Sequence, residues 1–214
     1  LPGPPFRILF VRAPSIDAQM LHSVVAPLGI ARLSAVVSRV GAVTTKIDLA
    51  PFVKRLLVPD LSTMDADALA KRVFDKVGGR TFDLIGVSAD DFGAWPVIEK
   101  LCRAMRGRLA PLVAMGGVAV NTGDRARIAS SDAVDYCIVS EGEIPLLQLL
   151  RHLRAGAPLE SVSGLVHPDG SANRTVMTDP CLHTVPDFSD LEIRRYESGR
   201  RILPGPCLTY QFVQ

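Results

Sequence analysis

Small and acidic residues follow four apolar segments of this chain, each where a strand is expected to end in a loop. The candidate site residues at these strand ends, which include the neighbouring Ile16 and Val118, are Pro14, Ser15, Ile16 and Asp17; Ser88, Ala89 and Asp90; Gly116, Gly117 and Val118; and Glu141, Gly142 and Glu143. Ligands of open parallel sheets bind outside the carboxyl ends of the strands. Glycine lets a flat ligand approach the backbone, while hydroxyl and carboxylate oxygens offer hydrogen-bond partners. The pattern therefore predicts a binding site for a large ligand at this edge of the sheet.

Each group also has a purely structural explanation. A serine or aspartate after a strand, such as Ser88 or Asp90, often caps the following helix. A glycine pair often forms a tight turn. Acidic residues such as Glu141 and Glu143 are favourable near a helix N-terminus. The residue types alone leave both explanations open.

Motifs for catalysis are missing from the sequence. There is no Ser/His/Asp arrangement with recognisable spacing. There is also no GxGxxG after the first strand and no GxxxxGK[ST], which argues against dinucleotide and P-loop sites. His22, in the long loop of residues 13–26, is a lone histidine of the kind usually found at a surface. We therefore predict a binding protein, and we assign no catalytic or metal-ligating residue.

The composition favours a globular protein without nucleic acid or membrane partners. The 214 residues are 48% hydrophobic and 21% charged, with a formal net charge of +2. So small a charge gives no argument for nucleic-acid binding. The apolar runs are shorter than the roughly 20 residues that span a bilayer. The first five residues lack a basic region and a methionine, which is typical of a trimmed end rather than of a signal peptide.

The four cysteines are widely separated and form no CxxC pair. This spacing predicts reduced thiols, a cytoplasmic protein and no cysteine metal site. They are Cys102, Cys137, Cys181 and Cys207.

Strand and helix patterns alternate along the first 156 residues. We predict strands at 8–11, 44–49, 84–87, 112–115 and 136–139, and helices at 27–41, 65–77, 96–106, 125–129 and 144–154. This alternation predicts an α/β protein: a flavodoxin-like (Rossmann-like), doubly wound, five-stranded parallel sheet of order 2-1-3-4-5. A β/α barrel would need eight strands and a longer chain.

The alternation of strand and helix patterns ends after residue 156. We therefore expect a domain at 1–156, followed by a small hairpin and a linker at 157–214. The hairpin begins at Leu165 and turns through Pro168, Asp169 and Gly170. Residues 178–206 show no regular spacing of apolar residues that would form a hydrophobic core.

An ordered set of segments resembles the cobalamin-binding domain that precedes the radical S-adenosylmethionine (SAM) core in cobalamin-dependent radical enzymes. The set extends over residues 7–170. Its members are Ile8-Leu9-Phe10-Val11-Arg12-Ala13-Pro14-Ser15, Pro27-Leu28-Gly29-Ile30-Ala31-Arg32-Leu33, Asp83-Leu84-Ile85-Gly86-Val87-Ser88-Ala89, Met115-Gly116-Gly117, Glu141-Gly142-Glu143, Ser163-Gly164-Leu165 and Asp169-Gly170.

The resemblance implies a flavodoxin-like domain that holds cobalamin at the carboxyl edge of its sheet. It maps Ser88 and Ala89 to a ligand contact after the third strand, Gly116 and Gly117 to a glycine pair, and 141–143 to an acidic turn. Cobalamin domains of mutases carry a DxHxxG loop whose histidine binds cobalt. Here Asp17 is followed by Ala-Gln-Met instead. The resemblance therefore implies a base-off cofactor without a histidine lower ligand.

The family's next domain binds SAM and a [4Fe–4S] cluster through CxxxCxxC, a triplet that is missing from this sequence. The resemblance thus implies a radical SAM domain in cis or in trans, which would carry those two cofactors. The whole enzyme would be a methyltransferase that uses methylcobalamin. The chain alone lacks a catalytic centre, so its own status as an enzyme stays open.

Two alternatives use the same fold. A receiver-like interaction domain would need a phosphoacceptor aspartate at the end of the third strand, where Ser88 and Ala89 stand. A flavin or nucleotide binder would favour a Ser/Thr-rich loop after the first strand, and residues 13–16 supply little of that.

Overall fold

The structure is a computed structural model that describes residues 4–15, 26–51, 65–177, 185–193 and Tyr196. It contains one sheet with strands β1 Arg7–Arg12, β2 Val43–Asp48, β3 Leu84–Ser88, β4 Leu112–Gly116, β5 Tyr136–Ile138 and β6 Leu165–Val166. The strand order is β2-β1-β3-β4-β5-β6. Strands β1 to β5 pair in parallel. The α/β class and the order 2-1-3-4-5 of the parallel strands are confirmed.

The predicted count of five strands is wrong, because the sheet has six. β6 pairs antiparallel with β5, with Cys137 opposite Val166 and Ile138 opposite Leu165. The sequence predicted a hairpin here but not its place in the sheet, since so short a strand has almost no periodicity. The added strand pairs with β5 and so covers an otherwise open edge.

Helices cover both faces of the sheet. They are α1 Leu28–Ser38, α2 Ala66–Val77, α3 Trp95–Met105, α4 Val118–Thr122, α5 Arg125–Ala129 and α6 Glu143–Ala155. Asp65 caps α2 by accepting a hydrogen bond from the Asp67 N–H, and Gly78 ends that helix in the left-handed region. The sequence did not predict α4, a single short turn.

Alternate side chains of the strands point to opposite layers. Leu9, Val11 and Ile85 pack with α2 and α3. Ile8, Phe10 and Ala114 pack with α1 and α6. Because both faces are covered, the central strands are apolar on both sides. None of the helices in the described ranges combines the length and hydropathy that a membrane crossing requires.

Two cysteines are buried free thiols, Cys102 in α3 and Cys137 in β5. Burial raises the pKa of each thiol to about 12. The thiolate is the reactive form, so we expect iodoacetamide at pH 8 to label neither residue in the folded protein and both in urea. Peptide mass mapping measures this, and native labelling of either thiol would contradict the structure. Cys181 and Cys207 lie outside the described residues.

Residues 185–193 and Tyr196 come from the region assigned to a linker, yet they pack against the α/β domain. Leu191 and Tyr196 are buried together with Ala26, the residue two positions before α1. This short apolar cluster has no periodicity that a sequence pattern could reveal.

Candidate functional site

A cleft of about 370 Å³ lies between the sheet and the N-terminal parts of α1 and α6. Its floor includes Gly86, Ala114 and Gly116. Gly86 pairs with Ala114, and Ser88 pairs with Gly116, across β3 and β4. Because side chains alternate along a strand, these four residues face the same layer. The cleft exists because this part of the layer contains no large side chain from β3 or β4.

The two floor glycines differ in their surroundings. A Cβ on Gly86 would lie 2.8 Å from Cδ1 of Phe10, so the phenyl ring covers this part of β3. A Cβ on Gly116 would meet only the Ile138 carbonyl oxygen, at 3.4 Å. The backbone at Gly116 is therefore open toward the cleft.

Gly117 holds the ends of β3 and β4 together. Its backbone has φ 104° and ψ −176°, a combination reserved almost entirely for glycine. A Cβ there would lie 2.5 Å from the carbonyl oxygen of Ala89. The Ala89 N–H donates to the Gly116 carbonyl and the Ala119 N–H donates to the Ala89 carbonyl, both at 3.0 Å. These two hydrogen bonds join the loop after β3 to the loop after β4.

An asparagine of α4 holds the turn after β5. Ser140 has φ 70°, a left-handed conformation that is costly for a residue with a side chain. Its N–H donates to Oδ1 of Asn121 over 2.8 Å. Both residues line the cleft. Asn121 thereby positions the turn that leads into Glu141 and α6.

An ion pair lies in the lining of the cleft. Nη2 of Arg32, in α1, is 2.7 Å from Oε1 of Glu143, in the first turn of α6. The side chains are only 17% and 7% exposed, respectively. The pair therefore links the two helices that form the walls.

Replacing Arg32 with methionine should lower the free energy of unfolding by about 2 kcal/mol, because it leaves the Glu143 carboxylate buried without its ion pair. Arg103→Met is the matched control, since Arg103 pairs with Glu99 and Asp132 at 48% side-chain exposure. We expect the control to leave the urea midpoint unchanged, as exposed pairs contribute little. Equal losses in both variants would contradict the structural role of the Arg32 pair.

Asp90 lies in a separate ionic network beside the cleft. Nη2 of Arg12 is 2.8 Å from Asp90 Oδ2, and Nη1 is 3.5 Å from Asp48 Oδ2. The hydroxyl of Tyr196 donates to Asp48 Oδ2 over 2.9 Å. Burial raises the pKa of Asp48, and Arg12 opposes that rise. Arg12 stands in register with Ser88, so this network borders the site.

The structure brings seven of the thirteen residues of the predicted site into the lining of this one cleft. They are Ser88, Gly116, Gly117, Val118, Glu141, Gly142 and Glu143.

The other six lie elsewhere or are not described. Ala89 is fully buried beneath Gly117. Pro14 and Ser15 are buried just beyond β1, and Asp90 pairs with Arg12; none of these lines the cleft. Ile16 and Asp17 fall outside the described residues.

Several lining residues were missed by the sequence analysis. Gly86 and Ala114 precede Ser88 and Gly116 by two positions. The strand period of two would have placed them on the same face. Arg32 of α1 and Asn121 of α4 had no comparable signal, because their roles depend on neighbours distant in the sequence.

Histidines and metal ligands do not gather at the cleft within the described part of the chain. His167 Nε2 pairs with Asn173 Oδ1 at 2.9 Å, and His152 Nδ1 pairs with the Ala157 carbonyl. No group of three or more His, Cys, Asp or Glu side chains among the described residues could hold a metal ion. Trp95 is buried in the core on the opposite face of the sheet. His22 lies outside the described residues.

Solved structures of two cobalamin-containing enzymes resemble this chain. OxsB, a cobalamin-dependent SAM radical enzyme with aqua-cobalamin and SAM bound, matches 87% of the chain with a TM-score of 0.63 and 17% identity. TsrM from Kitasatospora setae, a radical SAM methyltransferase with cobalamin and a [4Fe–4S] cluster bound, matches 85% with a TM-score of 0.59 and 19% identity. The chain shares their fold.

The chain spans only 24% of the OxsB chain and 31% of the TsrM chain. At these identities the likeness shows the fold alone. No protein-family model matches the sequence, and no curated protein matches it.

Proposed function

We propose that this chain is a cobalamin-binding domain, and that its cleft holds the nucleotide tail of the cofactor. The observation that carries the proposal is the floor of Gly86, Ala114 and Gly116, where two adjacent strands carry no side chain larger than a methyl group. The shared fold with cobalamin-bound enzymes supports it.

The lining suits a flat, largely apolar base such as dimethylbenzimidazole. The walls present Leu33 and Leu146, while the floor exposes the backbone around Gly116. The volume of about 370 Å³ is within the usual range for small-molecule sites. Among the polar residues of the lining, Ser88 would offer its hydroxyl to the sugar and amide groups of the tail.

The corrin ring would lie across the carboxyl edge of the sheet. Val118 lines the mouth of the cleft and is 52% exposed, so it offers an apolar contact next to Gly117. We also propose that Pro14, Ser15, Ile16, Asp17, Ala89 and Asp90 contribute to binding of the cofactor. We propose that the cofactor would be bound base-off, without a histidine of this chain as a ligand of cobalt.

The domain would serve a larger enzyme. In this proposal residues 1–156 hold cobalamin, and residues 157–214 lead to a radical SAM domain, in cis or in trans, that carries SAM and a [4Fe–4S] cluster. When bound, methylcobalamin supplies a transferable methyl group. This chain's residues bind and orient the cofactor and exclude water from its tail. We propose that the whole enzyme is a cytoplasmic methyltransferase.

The test is retention of corrinoid after desalting. The protein is mixed with hydroxocobalamin, passed over a desalting column and examined by visible spectroscopy. We expect near-stoichiometric retention of hydroxocobalamin and much weaker retention of cobinamide, which lacks the nucleotide tail. Complete loss of both corrinoids would refute the proposal, and retention of FMN under the same conditions would favour the flavin alternative.

A separate measurement tests whether the bound cofactor is base-off. After reduction to the Co(II) state, the bound cofactor should give an electron paramagnetic resonance spectrum without the nitrogen splitting of a coordinated base or histidine. A spectrum with that splitting would contradict the base-off assignment and leave cobalamin binding intact.

A further inference from the structure

A segment late in the chain is bonded to the helix that forms one wall of the cleft. We call residues 185–193 together with Tyr196 the strap. The Asp187 N–H donates to the Ala31 carbonyl over 3.0 Å. The Ser34 hydroxyl donates to Asp187 Oδ2, also over 3.0 Å. The strap therefore contacts α1 through both backbone and side-chain hydrogen bonds.

The same strap neutralises a fully buried lysine. Lys46 Nζ, in β2, lies 2.6 Å from Asp187 Oδ2 and 3.4 Å from Asp190 Oδ2, and its side chain is 0% exposed. It also donates to Ser34 Oγ over 3.1 Å. A buried ammonium without carboxylate partners is strongly unfavourable. The interactions of Lys46 therefore hold the strap, β2 and α1 together.

A second anchor ties the strap to the carboxyl edge of the sheet. Tyr196 donates to Asp48, which also lies near Arg12. Arg12 is in register with Ser88, a residue of the cleft. The strap thus reaches both the α1 wall and the strand ends beside the site.

α1 lies between the strap and α6. Leu33 of α1 lines the cleft, and a Cβ on Gly142 would come within 3.0 Å of its Cδ2 atom. Ala31 and Ser34, which bond to Asp187, belong to the same turn of helix as Arg32 and Leu33. A shift of the strap would therefore move the side chains that line the cleft.

We propose that the strap sets the position of α1 and thereby the tightness with which the cleft holds its ligand. Lys46, Asp187 and Tyr196 are positioning residues, because they act through α1 and the Arg12 network rather than by touching the ligand. The identity of the ligand rests on the proposed function, whereas the link between the strap and α1 does not.

The test compares Asp187→Asn and Tyr196→Phe with the wild type in two measurements: cobalamin affinity and hydrogen exchange of the amides of residues 28–38. Asp75→Asn is the matched control, since Asp75 pairs with Lys71 at 2.8 Å on the exposed face of α2. We expect Asp187→Asn to weaken cobalamin binding about tenfold, within the usual range of coupling between sites, and Tyr196→Phe about threefold, just below that range. Exchange in α1 should accelerate in both variants, and the control should match the wild type.

Two results would overturn the proposal that the strap positions α1. Folded Asp187→Asn protein with wild-type affinity and wild-type exchange in α1 would overturn the proposal, as would a lower melting temperature with unchanged affinity. If Asp187→Asn does not fold, Tyr196→Phe decides in the same way, since it removes a single oxygen atom. If wild-type protein binds no cobalamin, the proposed function fails. The exchange measurement then decides the role of the strap by itself.

Discussion

Gly117→Ala is expected to lower the free energy of unfolding by about 3–5 kcal/mol and to abolish cobalamin retention at 37 °C. Two costs add. The backbone at φ 104° and ψ −176° is unfavourable for alanine. In addition, the new Cβ would lie 2.5 Å from the Ala89 carbonyl oxygen, which is fixed by its own hydrogen bond from the Ala119 N–H. Urea denaturation followed by circular dichroism measures the change.

Gly79→Ala separates the two costs. Gly79 also has a positive φ, 78°, but nothing lies within 4 Å of its added Cβ. This control therefore suffers only conformational strain, about 1–2 kcal/mol. An equal loss in the two variants would show that the contact between Gly117 and Ala89 is not as tight as the structure has it.

The fold was largely predictable because its parallel strands are continuous apolar runs. The apolar run at residues 8–11 by itself predicts a strand that is buried on both faces. The observed strand β1, Arg7–Arg12, includes these four residues. α2 was equally clear, since Asp65 and Gly78 mark its ends. β6 and α4 were not predicted as they occur, because two and five residues are too few to show a period.

The candidate site was predictable in its location but not in its details. The glycine pair shows why: Gly116 is open to the cleft, whereas Gly117 is closed against Ala89. Residue type is identical at the two positions, and only the tertiary neighbours distinguish them. Asp90 is a second example. Its partner Arg12 lies 78 positions away in the sequence, so no local pattern indicates this pair.

The strap could not be inferred from the sequence for a related reason. Nothing in the sequence indicates that Lys46 is buried, since lysine is mostly found at surfaces. In the structure Lys46 is fully buried, because Asp187 and Asp190 return from more than 140 positions later to pair with it. A charge that is neutralised by distant residues leaves no local pattern.

Gly116→Val is expected to weaken cobalamin binding by roughly 30- to 100-fold while the fold is kept. The β-branched side chain suits a strand, and its Cβ would meet only the Ile138 carbonyl oxygen at 3.4 Å. Its two methyl groups would occupy the floor of the cleft, where the proposed nucleotide tail lies. The change in unfolding free energy should stay within about 1 kcal/mol, because little in the structure must move. Equilibrium titration followed by visible spectroscopy measures the affinity.

Cobinamide is the ligand-side control for this variant. It keeps the corrin ring and lacks the tail, so Gly116→Val should leave its weaker binding nearly unchanged. The advantage of cobalamin over cobinamide would then disappear in the variant, and Gly116→Ala, with a single methyl group, should lie between. Equal weakening of both ligands would place the tail outside the cleft. Unchanged binding of both would exclude the cleft from the site altogether, since no base could share the floor with a valine side chain.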